Sequence, residues 1–210
     1  MWIKLFKLIS SRILLFIMIL LCGCSTNPTF VKVQINSSLP FREVEKIPLR
    51  VGLYLDPNLI NYSRTPPRWE DRNFVIQMGE ALSNGAQNVT NKAFREVVNV
   101  YTIDAELLPK GLDALVIPEV DRIYGGYGTE RPLGTVIVRI RWRIIDLSGK
   151  VIYMNTFGAE SKWSIFTTTA LNYFDVLSRN YTKAIEEQFI KAYIGITSTN
   201  WWELIKKEPN

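Results

Sequence analysis

Thr135-Val136-Ile137-Val138-Arg139-Ile140-Arg141-Trp142-Arg143-Ile144-Ile145-Asp146-Leu147-Ser148-Gly149-Lys150 is the stretch that decides the fold. Val136, Val138, Ile140, Trp142 and Ile144 alternate with Arg139, Arg141 and Arg143, so period-two patterning predicts a half-buried strand with an apolar and a basic face. Asp146-Leu147-Ser148-Gly149-Lys150 has the residue types of a hairpin turn. Val151–Phe157 is then the returning partner strand.

Downstream, Leu177, Tyr181, Ala184, Ile185, Gln188 and Ala192 recur at helical spacing, which predicts a helix from about Ala170 to Tyr193. Upstream, Leu49, Val51, Leu53 and Leu55 alternate with Arg50, Gly52 and Tyr54 as a strand, ended by Asp56-Pro57. Residues 56–73 read as a long polar loop. Leu82, Ala86, Val89, Ala93 and Val97 form the stripe of a second helix, followed by a short strand at Val100–Ile103. Ala114–Val120 is a further strand, with Pro118 marking an edge position or a bulge. Tyr124-Gly125-Gly126-Tyr127-Gly128 reads as a flexible turn. The expected fold class is α/β. It is a two-layer sandwich, with a mixed, mostly antiparallel sheet carrying two long helices on one face and the other face open. The domain is expected over residues 49–194, with a tail at 195–210.

The chain has 210 residues with 25 Lys and Arg, 20 Asp and Glu, two cysteines and no histidine. Lacking histidine, it lacks Ser-His-Asp and Cys-His catalysis in their usual forms and the common zinc sites. At the N-terminus, Lys4, Lys7 and Arg12 precede an apolar run from Ile13 to Leu21, the layout of an export signal. The run is short of the about 20 apolar residues that a transmembrane helix needs.

Leu21-Cys22-Gly23-Cys24 behind that run resembles the lipobox of bacterial lipoproteins. The resemblance implies cleavage of residues 1–23, lipidation of Cys24, and a tether over residues 24–48 with one short strand at Phe30–Ile35. Ser25, where aspartate is linked to inner-membrane retention, implies the periplasmic side of the outer membrane. Three of the basic residues leave with the signal, so 22 basic and 20 acidic residues remain, a net charge of +2. Nucleic acid is not an expected partner. The thiols leave with the signal or carry lipid, so the domain relies on packing rather than disulfides.

The segments Leu49–Leu55, Asp113–Pro118 and Val138–Ile152 together are similar to a group of envelope lipoproteins. The group comprises the curli-secretion lipoprotein, the small lipoprotein of the Pel polysaccharide exporter and the lipoprotein activator of penicillin-binding proteins. The resemblance implies a non-catalytic accessory protein without cofactor, in contact with an envelope protein or glycan and able to form a homo-oligomer.

Candidate sites follow from the residues. Arg139, Arg141 and Arg143 form a row of like charges that calls for neutralisation, either by an acidic partner or locally. An antiparallel neighbour holding Glu119 and Asp121 would set Glu119 near Arg139. Those two carboxylates, about 7 Å apart on one strand face, are also the only candidate for a glycan hydrolase, with nearby arginines working against a general acid. Tyr124 and Tyr127 are candidate partner contacts. Trp201 and Trp202 suit either a membrane interface or a groove on their own domain, and Tyr62 and Trp69 share that ambiguity. The expected function is an accessory or scaffold in an outer-membrane secretion, polysaccharide-export or assembly complex. The alternatives are an activator of a peptidoglycan synthase, a lipopolysaccharide-transport plug and the hydrolase.

Overall fold

The computed structural model describes residues 28–36, 38–65, 74–127, 133–164 and 172–206. Cys24, Trp69 and the signal segment lie outside them. Among the described residues there are two sheets. Five strands, β2 (Ile47–Tyr54), β5 (Phe94–Val100), β6 (Ala114–Tyr127), β7 (Leu133–Ile145) and β8 (Val151–Ser164), form one in the order β5-β2-β6-β7-β8. The smaller sheet has the order β1-β4-β3, from β1 (Thr29–Lys32), β3 (Ser63–Arg64) and β4 (Phe74–Gln77). The helices are α1 (Pro57–Ile60), α2 (Gly79–Ala93), α3 (Tyr173–Thr197) and α4 (Glu203–Lys206). The architecture is the expected α/β sandwich with two long helices. Its larger sheet is mixed, because β2 pairs parallel with β5 and β6 while β7 pairs antiparallel with both neighbours.

The central hairpin follows its sequence. Val136, Val138, Ile140, Trp142 and Ile144 are all fully buried. The turn is built around Asp146. Its backbone N–H donates to Lys150 O at 2.9 Å, and its Oδ1 accepts from the Ser148 hydroxyl at 2.6 Å and the Ser148 and Lys150 N–H groups, each at 2.9 Å. Gly149 takes φ +87°, a left-handed conformation. The core lies between the sheet and the helices. Leu82, Ala86 and Val89 of α2 and Tyr181, Ala184, Ile185 and Phe189 of α3 are buried in it.

Several expectations are corrected. The α2 stripe ends at Ala93, and Val97 lies in β5. The chain passes from helix to strand with no loop, since Phe94 caps the helix in extended conformation and Val97, Val98 and Val100 are stiff β-branched residues. The 56–73 loop contains α1, whose Asp56 side chain accepts from Asn58 N at 2.6 Å, and β3. The Gly-rich turn at 124–128 is strand as far as Tyr127, with Gly125 opposite Val136 and Gly126 opposite Thr135. Gly125 serves packing there, because a Cβ would stand 2.0 Å from Tyr181 Oη. Pro118 sits in β6 beyond Val116, where the β2 pairing ends, so its missing N–H leaves no ladder bond unmade on that side.

The expected tether is also different. From Thr29 the chain is docked: β1 pairs with β4, and Val31, Val33 and Leu39 are buried. Side chains along α3 hold the segment in sequence. Ser178 Oγ donates to Lys32 O, Thr182 Oγ1 to Gln34 O and Tyr193 Oη to Arg42 O, while Glu186 accepts from Asn36 N.

Candidate functional site

The sheet face turned away from α2 and α3 carries the candidate groups. At its lower end, near the 146–150 turn, Val100, Leu112, Leu115, Ile117 and Ile145 make a small buried cluster with Leu108 packed on it. Residues 101–113 therefore cover part of the face expected to be open. The remainder displays Arg143, Arg141 and Arg139 of β7 in a row, with β6 on one side and β8 on the other.

Two of the three arginines are neutralised locally. Arg143 Nη2 lies 2.7 Å from Glu119 Oε1, and Arg141 Nη2 lies 2.7 Å from Asp121 Oδ1. The acidic groups are those expected, but Glu119 does not meet Arg139. Glu119 stands directly opposite Arg141, and the register shifts between Val120 and Arg122. That bulge inserts one extra residue on β6, so beyond it even-numbered β6 residues share the face with odd-numbered β7 residues. Arg122 thus stands directly opposite Arg139, a like-charge pair across the ladder. Among the described residues, neither has an ion pair. The two carboxylates of the hydrolase reading are each held by a guanidinium. The four ion-paired groups are roughly a quarter to a half exposed, so each pair stabilises by at most about 1 kcal/mol.

Arg139 borders a shallow depression of about 520 Å³ that Gly158, Thr156, Glu160 and Lys191 also line. Lys191 of α3 reaches over the β8 edge, with Nζ 3.2 Å from Gly158 O and 2.8 Å from Glu187. On the opposite flank, Tyr124 lies between two guanidinium groups. Arg64 Cζ is 5.3 Å and Arg122 Cζ 6.0 Å from its ring centroid, within cation–π range. Arg64 of β3 also donates through Nη1 to Ile123 O, a bridge between the two sheets. Burial pushes the Tyr62 hydroxyl above the ordinary tyrosine range, against the opposing pull of the Arg64 charge.

The structure therefore brings Arg139, Arg141, Arg143 and Tyr124 onto one face. Tyr127 contributes its backbone to β6 opposite Gly134. Trp201 is elsewhere and corrects the membrane-interface expectation. It is 8% exposed, packs against Phe94 and Tyr153 with centroids 6.1 and 5.5 Å away, and donates through Nε1 to Ile196 O at 3.0 Å. The tail folds back because the indole fills a gap at the α3 C-terminus. Trp202 is half-buried against the same core. Arg64 was missed as part of this surface because nothing in a polar loop announces a cross-sheet contact.

No family model and no curated protein matches the chain. Solved structures do. A Xanthomonas campestris protein of the DUF330 family model has a TM-score of 0.54 and 9% identity, covering 84% of this chain and 98% of that one. A minor lipoprotein from Acinetobacter baumannii has a TM-score of 0.43 and 11% identity, covering 73% of this chain and 94% of its own. The PelC dodecamer from Paraburkholderia phytofirmans has a TM-score of 0.37 and 16% identity, covering 71% and 94%. The first likeness shows the fold. At these identities none speaks to activity.

Proposed function

We propose that the chain is a bacterial envelope lipoprotein, lipidated at Cys24 on the periplasmic side of the outer membrane, whose domain works by binding rather than catalysis. The observation that carries this reading is Leu21-Cys22-Gly23-Cys24 behind a basic and then apolar leader, a few residues ahead of the first strand of a folded domain. Binding is supported by the side-chain inventory: no histidine in the chain, and the paired carboxylates Glu119 and Asp121 each engaged by an arginine. In this reading the protein is an accessory or scaffold part of an outer-membrane secretion, polysaccharide-export or assembly complex. Its contact groups lie on the exposed sheet face around Arg139 and Tyr124.

Palmitate labelling in the native bacterium tests the anchor. Wild type should take up label and fractionate with outer membrane, and Cys24→Ser should do neither. Crosslinking from the labelled protein should then capture an envelope component, with capture lost on Arg139→Glu. Label on the Cys24→Ser protein, or a wild-type protein recovered free in the periplasm, would sink the reading. Light scattering of the purified lipoprotein in detergent separates a one-to-one adaptor from a ring.

A further inference from the structure

The docked N-terminal segment decides how the domain stands on its membrane. A free tether over residues 24–48 would leave the domain free to tumble, but the chain is already paired into a sheet at Thr29. Five residue steps separate Cys24 from Thr29, and an extended chain covers at most about 3.5 Å per step, so roughly 17 Å is the whole reach. Beyond Thr29 the segment is fixed. Its bonds to Ser178, Thr182, Glu186 and Tyr193 run in order along α3, which places Thr29 at the Tyr173 end of that helix. The same end holds the close of β6 and the opening of β7, while the 146–150 turn is at the opposite end.

The Thr29 end presents an apolar group to the outside. Phe30 is 60% exposed, an aromatic ring next to the point where the chain enters the fold. It pairs with Val75 on the outer face of the small sheet, whereas Arg64 stands opposite Ile76 on the other face. An exposed apolar ring close to an acylated residue suits the boundary where acyl chains meet headgroups.

We propose that this end is a membrane-facing surface, with Phe30 entering the headgroup boundary. The inference rests on lipidation at Cys24. Its occupant is the bilayer that holds the anchor.

The sequence makes the test clean, because Cys22 and Cys24 are the only cysteines. The mature lipoprotein carrying Phe30→Cys or Leu147→Cys then has a single free thiol, and intact mass first establishes that the lipid is present. Absence of that mass overturns the anchoring reading, separately from the orientation. With lipid present, a fluorophore is placed on each thiol in vesicles of phosphatidylethanolamine and phosphatidylglycerol containing a nitroxide-bearing lipid. Strong quenching is expected at position 30 and little at position 147. Equal quenching, or quenching at 147 alone, would overturn the orientation. Protection of position 30 that persists in lipid-free detergent micelles would assign the surface to a second protein instead.

Discussion

Replacing Gly85 by alanine should destabilise this protein, against the ordinary preference of a helix. Gly85 lies inside α2, where exchanging glycine for alanine in a free helix gains about 1 kcal/mol. Here the added Cβ would stand 2.0 Å from Phe189 Cε2, 2.2 Å from Cδ2 and 2.6 Å from Cζ. All three are inside any real contact distance, so the ring or the helix must move. Phe189 is fully buried and packs edge-on against Trp142, centroids 6.3 Å apart at 84°, which leaves it little room. Overpacking of this kind costs about 1–3 kcal/mol, so a net loss near 1 kcal/mol is expected after the propensity gain. Asn84→Ala, one residue away and exposed, meets no such wall and should gain about 0.5 kcal/mol. Urea unfolding followed by circular dichroism measures both. Adding Phe189→Leu to Gly85→Ala should recover part of the loss, a coupling of roughly 1 kcal/mol in a double-mutant cycle. A Gly85→Ala midpoint at or above that of Asn84→Ala, or strict additivity with Phe189→Leu, would refute the packing argument.

Gln188 is fully buried on α3 with no partner for Nε2 or Oε1. Gln188→Met should therefore raise the urea midpoint by the equivalent of about 1–2 kcal/mol, and a fall would show that the amide is satisfied by an internal water. Trp201→Ala should lose about 3 kcal/mol through the emptied site against Phe94 and Tyr153, while leaving vesicle contact at position 30 unchanged; the reverse pattern would restore a membrane role for the indole. Partial burial pulls the Asp146 carboxyl upward. Hydrogen bonds from the Ser148 hydroxyl and the Lys150 and Ser148 N–H groups, with the Lys150 charge, outweigh it and hold the group below the ordinary aspartate range. A depressed folded-state pKa stabilises fully above the unfolded value near ~4 and is lost as pH falls through the folded one. Asp146→Ala should accordingly be less stable than wild type at neutral pH, with the gap closing as pH falls through the lowered folded-state pKa; a gap that persists in acid would mean that the turn does not depend on the ionised carboxylate.

Much of the fold is written in short-range pattern. The period of two in Val136–Ile144 and the Asp146–Lys150 turn chemistry define a hairpin whichever protein surrounds them. The stripe Leu177–Ala192 defines a helix buried on one side. Patterning failed where one residue type serves two purposes. Gly125 and Gly126 have the composition of a turn but lie in a strand, because the space taken by Tyr181 is invisible in sequence. Val97 continued a helical stripe by coincidence of spacing, while the β-branched run around it preferred extended backbone.

The basic row on β7 and the two acidic groups that answer it were legible by themselves, since each depends on residue type and local spacing. Which acid meets which arginine was not. A single extra residue at the bulge beside Asp121 shifts the ladder, leaves Arg139 facing Arg122, and moves an unneutralised charge pair to one part of the face. The docking of residues 29–41 onto α3 was equally hidden, because its polar bonds join positions about 150 apart in the chain. Local chemistry determined what the segments are. Long-range packing decided which acid meets which arginine and that the chain is held against α3 from Thr29 onward, because those depend on contacts that no local pattern encodes.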